Sequence, residues 1–296
     1  MNVSGDRLGL VLEGGGMRGV YTTGVLDEFL QHGVKVDGLV GVSAGILHGI
    51  TFISEQYGRN VRYLLKYRGD KRFMSLSSWL KTGNICETEF CYHEIPEKLY
   101  PFDYETFRKN AETTQVYSCA SNLETGKAEY IRITDAMTQI DAIRASASLP
   151  LVSETVEYDG MKLLDGGTTD SIPVDFMRSI GFQRNIVILT RPEGYRKGPD
   201  KTMFLMKRKY AEYPQYVEAA ENRQNNYNDT LDKIQEYEAL GEIFVLRPSR
   251  DLGVGRTEKD PEKLKRMYKL GRFDARNKIR EVIEFVDRKE KDHAEE

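Results

Sequence analysis

The chain has 296 residues, 40% of them hydrophobic and 30% charged, a balance that belongs to a folded soluble protein and excludes a disordered one. A net charge of −3 and a pI near 6.0 speak against a nucleic-acid binder, and no apolar run approaches the ~18 residues a membrane span needs. Met1 to Arg7 lacks the basic start and apolar core of a signal peptide, and Cys86, Cys91 and Cys119 are a sparse, odd set; both lead us to expect a cytoplasmic protein.

Leu8-Gly9-Leu10-Val11-Leu12 reads as a short buried strand. It runs into the glycine-rich loop Glu13-Gly14-Gly15-Gly16-Met17-Arg18-Gly19, and then Val20, Gly24, Val25, Leu26, Phe29 and Leu30 are spaced for one face of a helix that Gly33 ends. A second strand, Val36 to Val42, turns through Gly41-Val42-Ser43-Ala44-Gly45 into a helix reaching about Ser54. This alternation predicts a parallel sheet with helices packed on it.

From Tyr57 to about Thr114 the pattern is looser and reads as a cap-like insertion, helical in pieces. Between Arg62 and Lys81 stand six basic residues (Arg62, Lys66, Arg68, Lys71, Arg72, Lys81) against one acid, Asp70, with Tyr63, Tyr67, Phe73 and Trp79 interleaved. The segment fits either a cap that also touches anionic lipid or the solvated outer face of a helix. Cys86, Cys91 and His93 have no standard metal-ligand spacing, and no metal is expected.

Val116 to Ala120 and Ala128 to Ile133 read as strands with a turn at Gly126. Asp135 is expected to cap a helix whose apolar face holds Ala136, Ile140, Ile143 and Ala147 and which stops near Pro150. A hairpin follows, Val152 to Tyr158 and Met161 to Leu164 about Asp159-Gly160, and it delivers Asp165-Gly166-Gly167. Ile172 to Ile180 predicts a helix with Pro173 near its first turn, and Asn185 to Thr190 a central strand. After Pro199 the composition turns polar: a long helical stretch, Lys201 to Leu240, interrupted by Pro214; a buried strand, Ile243 to Leu246; two helices between Pro261 and Arg288 broken at Gly271; and a charged, frayed tail, Lys289 to Glu296.

The chemistry centres on Ser43. Gly41 and Gly45 flank it at a strand-to-helix turn, where small neighbours let the backbone bend and a substrate approach, and where a helix N-terminus favours developing negative charge. A serine hydroxyl needs a base. His32 sits at a helix end, His93 in the insertion and His293 in the tail. His48, the least poor candidate, is five residues past Ser43 on the same helix and leaves at another angle. The search therefore turns to carboxylates. Asp165 follows the apolar Leu163-Leu164 and precedes Gly166 and Gly167, which allow close approach; Asp170 and Asp175 lack such glycines. At its ordinary pKa of about 3.9 an aspartate is a weak base, so desolvation would have to hold its proton affinity up. The plain alternative is that Asp165 merely opens a turn.

Gly14 to Gly19 fits G-x-G-x-x-G. One reading is a nucleotide or phosphate site; the other is an oxyanion hole formed by the N–H groups of Gly14, Gly15, Gly16, Met17, Arg18 and Gly19. Adjacent parallel strands would set this loop beside Ser43, which favours the second. Arg18 would then steady an anionic intermediate or head group, or simply pack.

The blocks Glu13–Gly19, Gly41–Gly45 and Asp165–Gly167, with Ala145-Ser146-Ala147-Ser148-Leu149-Pro150 and Ile172-Pro173-Val174, occur in the order found in the patatin-like phospholipase family, which residues 8 to 190 resemble. The resemblance implies a three-layer α/β/α fold with a mostly parallel central sheet. It also implies a Ser43–Asp165 dyad, an oxyanion hole from Gly14 to Gly19, and hydrolysis of acyl esters in lipids without metal or other cofactor. Glu13 stands where many members have Asp. We accordingly expect residues 1–198 to form the catalytic α/β domain and residues 199–296 a mainly helical region packed on it. The expected partner is a lipid or acyl-ester substrate, with peripheral membrane contact and no nucleic acid. The competing expectations are a nucleotide- or phosphate-binding module and a lipid-sensing protein with little catalysis.

Overall fold

The computed structural model describes residues 7–288; the expectations for the start of the chain before Arg7, for His293 and for the charged tail lie outside the described residues. In chain order the elements are β1 (Leu8–Leu12), a 3-10 turn (Gly16–Gly19), α1 (Val20–Gln31), β2 (Gly38–Val42), α2 (Ala44–Ile53), α3 (Arg59–Tyr67), α4 (Leu76–Thr82), a π-helical stretch (Phe90–Leu99), α5 (Tyr104–Ala111), β3 (Gln115–Asn122), β4 (Ala128–Ile133), α6 (Ile140–Ser146), β5 (Val156–Tyr158), β6 (Met161–Asp165), α7 (Val174–Ser179), β7 (Arg184–Ile188), α8 (Met203–Lys209), α9 (Pro214–Ala239), β8 (Ile243–Leu246) and α10 (Pro261–Asp287).

The eight strands form one sheet in the order β5-β6-β3-β2-β1-β7-β8, with β4 alongside β3. Pairs β1–β2, β1–β7, β2–β3 and β7–β8 are parallel, and antiparallel pairing is confined to the end built from β3, β4, β5 and β6. Alternate strand residues divide the core. Leu10, Leu12, Ile186 and Ile188 pack with α1, α2 and α10 on one face, and Val11, Val187 and Val245 with α7 and α9 on the other. This is the expected α/β/α layering with a mostly parallel centre. Strand β7 lies inside the sheet between β1 and β8, because β8 continues the parallel run.

The long C-terminal helix departs from expectation. α10 runs unbroken through Gly271, because that glycine is a crossing point: a Cβ there would lie 2.1 Å from the Tyr21 carbonyl oxygen of α1, and one on Gly24 would lie 2.3 Å from that of Tyr268. Around the crossing, the buried Glu28 carboxylate accepts from Arg272 at 2.6 Å and Arg276 at 2.7 Å, and Asp27 accepts from the Tyr268 hydroxyl at 2.7 Å. The polar helical stretch is interrupted near Pro214 as expected: α8 ends at Lys209 and Pro214 is the first residue of α9, where its missing N–H costs nothing.

Other boundaries also shift. β2 starts at Gly38, and Asp37 instead accepts from the Leu8 N–H at 2.8 Å. Asp135 accepts from Met137 in a turn, and α6 begins only at Ile140. The hairpin strand begins at Val156 rather than Val152, and Pro173 precedes the short α7 instead of lying in its first turn. In the insertion, Tyr63 and Phe73 are buried and Tyr67 packs on the core. Arg68 is only 2% exposed and donates to the carbonyls of Thr257 at 2.9 Å and Phe73 at 3.2 Å. The segment is therefore not one continuous solvated or lipid-facing surface; Tyr57, Leu76, Trp79, Leu80 and Leu99 are its exposed large apolar residues.

Candidate active site

Strand β3 acts as a ruler for the site. Along one of its edges β2 pairs in parallel until Val42 stands opposite Cys119. The next β3 residue, Ala120, stands opposite Asp165, the last residue of the antiparallel β6. β4 occupies the other edge over Val116 to Ser121. Two strands thus meet end to end on a third, and the residue after Val42 arrives beside the end of β6.

Ser43 makes the turn from β2 into α2 at φ 55° and ψ −123°, a left-handed φ that costs a side-chain-bearing residue on the order of 1–3 kcal/mol and marks functional positions. Gly41 and Gly45 allow the bend: a Cβ on Gly41 would meet the Ile46 N–H nitrogen at 2.4 Å, and one on Gly45 the Leu12 carbonyl oxygen at 2.5 Å. The Ser43 N–H donates to Ser146 Oγ at 2.8 Å, and that hydroxyl donates in turn to the Cys119 carbonyl. Two residues on, the Ser148 carbonyl accepts from the Asp165 N–H at 2.8 Å. The end of α6 therefore braces both residues.

Asp165 Oδ1 accepts from the Gly167 N–H at 2.8 Å, so it does shape a turn. Its Oδ2 is buried without a hydrogen bond of good geometry, although the Ser43 hydroxyl lies close enough to favour the charged carboxylate. Burial raises the proton affinity of Asp165 above the ordinary aspartate range; Ser43, the Arg223 guanidinium and the Gly167 N–H oppose this without overcoming it.

The glycine loop lies against the elbow: a Cβ on Gly14 would sit 3.3 Å from Ser43 Cβ. Not all of its six N–H groups face a ligand. Gly14 donates to the Ser171 carbonyl at 3.4 Å, Met17 to that of Arg256 at 2.9 Å and Arg18 to that of Gly15 at 3.2 Å. Gly15 and Gly16 have no hydrogen bond on their N–H groups among the described residues. Glu13 anchors the loop by accepting from Thr190 and, at 2.6 Å, from the Tyr227 hydroxyl of α9.

These residues line one cavity of about 410 Å³, with Gly14, Gly15, Gly16, Arg18, Ser43, Asp165 and Gly167 on its wall. No residue of 57–114 lines it; the loop after β7, α9 and Arg256 do. His48 lies outside it, buried, with its pKa pushed down to about 3 by desolvation, and His93 pairs with Glu97 at 3.1 Å. No group of three metal-ligating side chains occurs among the described residues. Sequence reasoning singled out the block that holds Ser146 and Ser148 without giving either a role, and it missed Lys197, Arg223, Tyr227 and Arg256, which look like ordinary surface residues of a polar stretch.

A serine at a strand-to-helix elbow, a carboxylate at a neighbouring strand end and a glycine loop between them, on a mostly parallel three-layer sheet, define a class of α/β proteins built around a candidate nucleophile. The sequence model described as patatin-like phospholipase matches residues 10–178, more than half of the chain, and the protein belongs to that family. A domain of unknown function (DUF6363) matches residues 213–287. Uncharacterized protein YjjU of Escherichia coli is 30% identical over 189 residues, covering 63% of this chain and 52% of that one. Lysophospholipase NTE1 of Saccharomyces cerevisiae is 30% identical over 193 residues, covering 61% of this chain and 10% of that one. The match thus spans about half of the first relative and a tenth of the second. Among solved structures, VipD from Legionella pneumophila aligns over 95% of this chain and 67% of its own at 12% identity and a TM-score of 0.45.

Proposed function

We propose that this protein is a serine acyl hydrolase of lipid esters, with Ser43 as nucleophile, Asp165 as base and the Gly15 and Gly16 N–H groups as oxyanion donors. The observation that carries the reading is the convergence of β2 and β6 on consecutive β3 residues, Cys119 and Ala120. Ser43 Oγ attacks the ester carbonyl and its proton passes to Asp165 Oδ2. The oxyanion is held by the free N–H groups. Collapse expels the alcohol, which takes the proton from Asp165. Water, deprotonated by the same carboxylate, then attacks the acyl group; the Ser43–acyl bond breaks, Ser43 Oγ takes the proton back from Asp165, and the fatty acid leaves.

The substrate would be met at a lipid surface. Lys201 and Thr202 line the cavity, and the exposed Phe204 and Leu205 of α8 follow directly in the chain. Leu149 of the cavity wall leads to Leu151 and Ser153, which share a surface depression with the exposed Trp79 and Leu80 of α4. Apolar side chains beside a basic mouth suit peripheral contact with a membrane.

Mass spectrometry after treatment with a fluorophosphonate probe tests the nucleophile, with an adduct expected on Ser43. Ser43→Ala and Asp165→Asn should each lower turnover of a p-nitrophenyl acyl ester by roughly a hundredfold to ten-thousandfold. Wild-type turnover in either variant would remove the dyad.

A further inference from the structure

The wall of the Ser43 cavity carries six basic side chains, Arg18, Arg191, Lys197, Lys201, Arg223 and Arg256, against three acids, Glu13, Asp165 and Asp200. The acids hydrogen-bond to other partners, although Asp165 also faces Arg223 and Glu13 faces Arg18. Glu13 serves Thr190 and Tyr227, Asp165 Oδ1 the Gly167 N–H, and Asp200 the N–H and hydroxyl of Thr202 at 2.8 and 2.7 Å. Among the described residues none of the six cations forms a salt bridge. Arg18, Arg191 and Arg223 each bury a guanidinium Nε with no hydrogen-bond partner. Six cations against three acids leave an excess of positive charge, which repels and loses hydration, a cost that a bound anion offsets. Lys197 registers that cost: burial first, then Arg223 and Arg256, push its pKa down to about 7.

The same wall offers a quaternary ammonium little free aromatic surface. Such a group is held on aromatic faces, and each of the two tyrosines here already has a cation over one face. The Arg191 guanidinium lies 4.4 Å from the Tyr195 ring centre, and Lys197 Nζ lies 4.8 Å from that of Tyr227. Five of the six cations, all but Arg18, fall after residue 178, outside the stretch matched by the patatin-like model.

We infer that this cavity is a head-group site for an uncapped phosphate: the substrate is an acyl lipid ending in a phosphomonoester, held by guanidinium groups from the loop after β7, from α9 and from the Arg256 loop while its ester reaches Ser43. The inference rests on the hydrolase reading above and names its substrate class. A dianionic phosphate matches planar guanidinium donors and forms charge-assisted hydrogen bonds, whereas a choline or ethanolamine head group adds a cation to a cavity already rich in them.

The test compares kcat/KM on lysophosphatidate, lysophosphatidylcholine and monoacylglycerol of one acyl chain, in neutral mixed micelles. The phosphomonoester should be preferred by about tenfold or more over both others. Arg191→Gln and Arg256→Gln should each cut that preference about threefold to tenfold, mainly through KM, and Arg256→Lys should restore part of it. Circular dichroism of each variant separates lost recognition from lost folding. Calorimetry of the Ser43→Ala protein with inorganic phosphate, glycerol 3-phosphate and lysophosphatidate separates the sources: the lipid should bind most tightly, and equal affinity for inorganic phosphate would overturn the lipid assignment. Equal kcat/KM on all three lipids would overturn the inference outright. Absence of probe labelling and of turnover on every ester would instead remove the hydrolase reading. Phosphate-selective binding of lysophosphatidate by the Ser43→Ala protein would still support the head-group site, and its absence would overturn it.

Discussion

Two side chains pull Asp165 in opposite senses from its burial. Desolvation disfavours the carboxylate, while the Ser43 hydroxyl and the Arg223 guanidinium favour it. On the proposed mechanism Asp165 must be ionised to take the serine proton, so turnover should be full above its pKa and fall as pH drops through it. With the folded pKa raised, the acidic limb should lie above the ordinary aspartate range. Arg223→Gln removes a charge that lowers this pKa and should move the limb to still higher pH. A pH profile of kcat/KM on an uncharged p-nitrophenyl ester checks both. A limb that does not move in Arg223→Gln would separate the arginine from Asp165. His48, by contrast, is buried outside the cavity that Ser43 and Asp165 line, and desolvation pushes its pKa down to about 3 and makes it a weak base, despite its place on the helix that follows Ser43.

At the scale of elements, the crossing of α1 and α10 shows how a glycine in a helix can be read in two ways. In isolation Gly271 weakens a helix by about 1 kcal/mol relative to alanine, and the sequence therefore suggests a break there. In the fold the missing Cβ lets two backbones touch, at would-be distances of 2.1 and 2.3 Å from carbonyl oxygens. Alanine at Gly271 or Gly24 should gain that ~1 kcal/mol of propensity but force the helices apart, at a cost of about 1–3 kcal/mol. Because the clash is with backbone rather than a mobile side-chain end, the cost should win. Both variants are expected to lower the urea midpoint with the slope unchanged; a raised midpoint would show that the helices separate freely. The brace at the end of α6 works differently: Ser146 and Ser148 use one hydroxyl and one carbonyl to hold two strand ends in register.

For the whole molecule, the region after residue 198 contributes more than a covering. β8 extends the sheet beside β7, α10 covers α1, and α9 carries Tyr227 to Glu13 and Arg223 to Asp165. We therefore expect residues 1–198 alone to fail as a folded unit, leaving β7 as an exposed edge and the α1 groove open to aggregation. Soluble yield and size-exclusion chromatography of that fragment measure this, and a soluble monomer labelled at Ser43 by the probe would prove the opposite.

Short-range physics made much of this readable beforehand. The apolar runs Leu8–Leu12 and Ile243–Leu246, the helical spacing after Gly19, and the glycines around Ser43 and Asp165 are local patterns, and local patterns declare strands, helices and tight turns. The belief that Gly14 to Gly19 all offer free N–H groups failed at Gly14, Met17 and Arg18, since the carbonyls they meet belong to Ser171, to Arg256 and to a 3-10 turn. The strand elements and the candidacy of Ser43 and Asp165 were thus legible from residues close in the chain. Which strand ends meet on β3, which cations surround them and which helix glycines are crossings depended on pairings between residues often more than a hundred positions apart. Such pairings are set by packing and register across the sheet, and they leave no periodic mark in the chain itself.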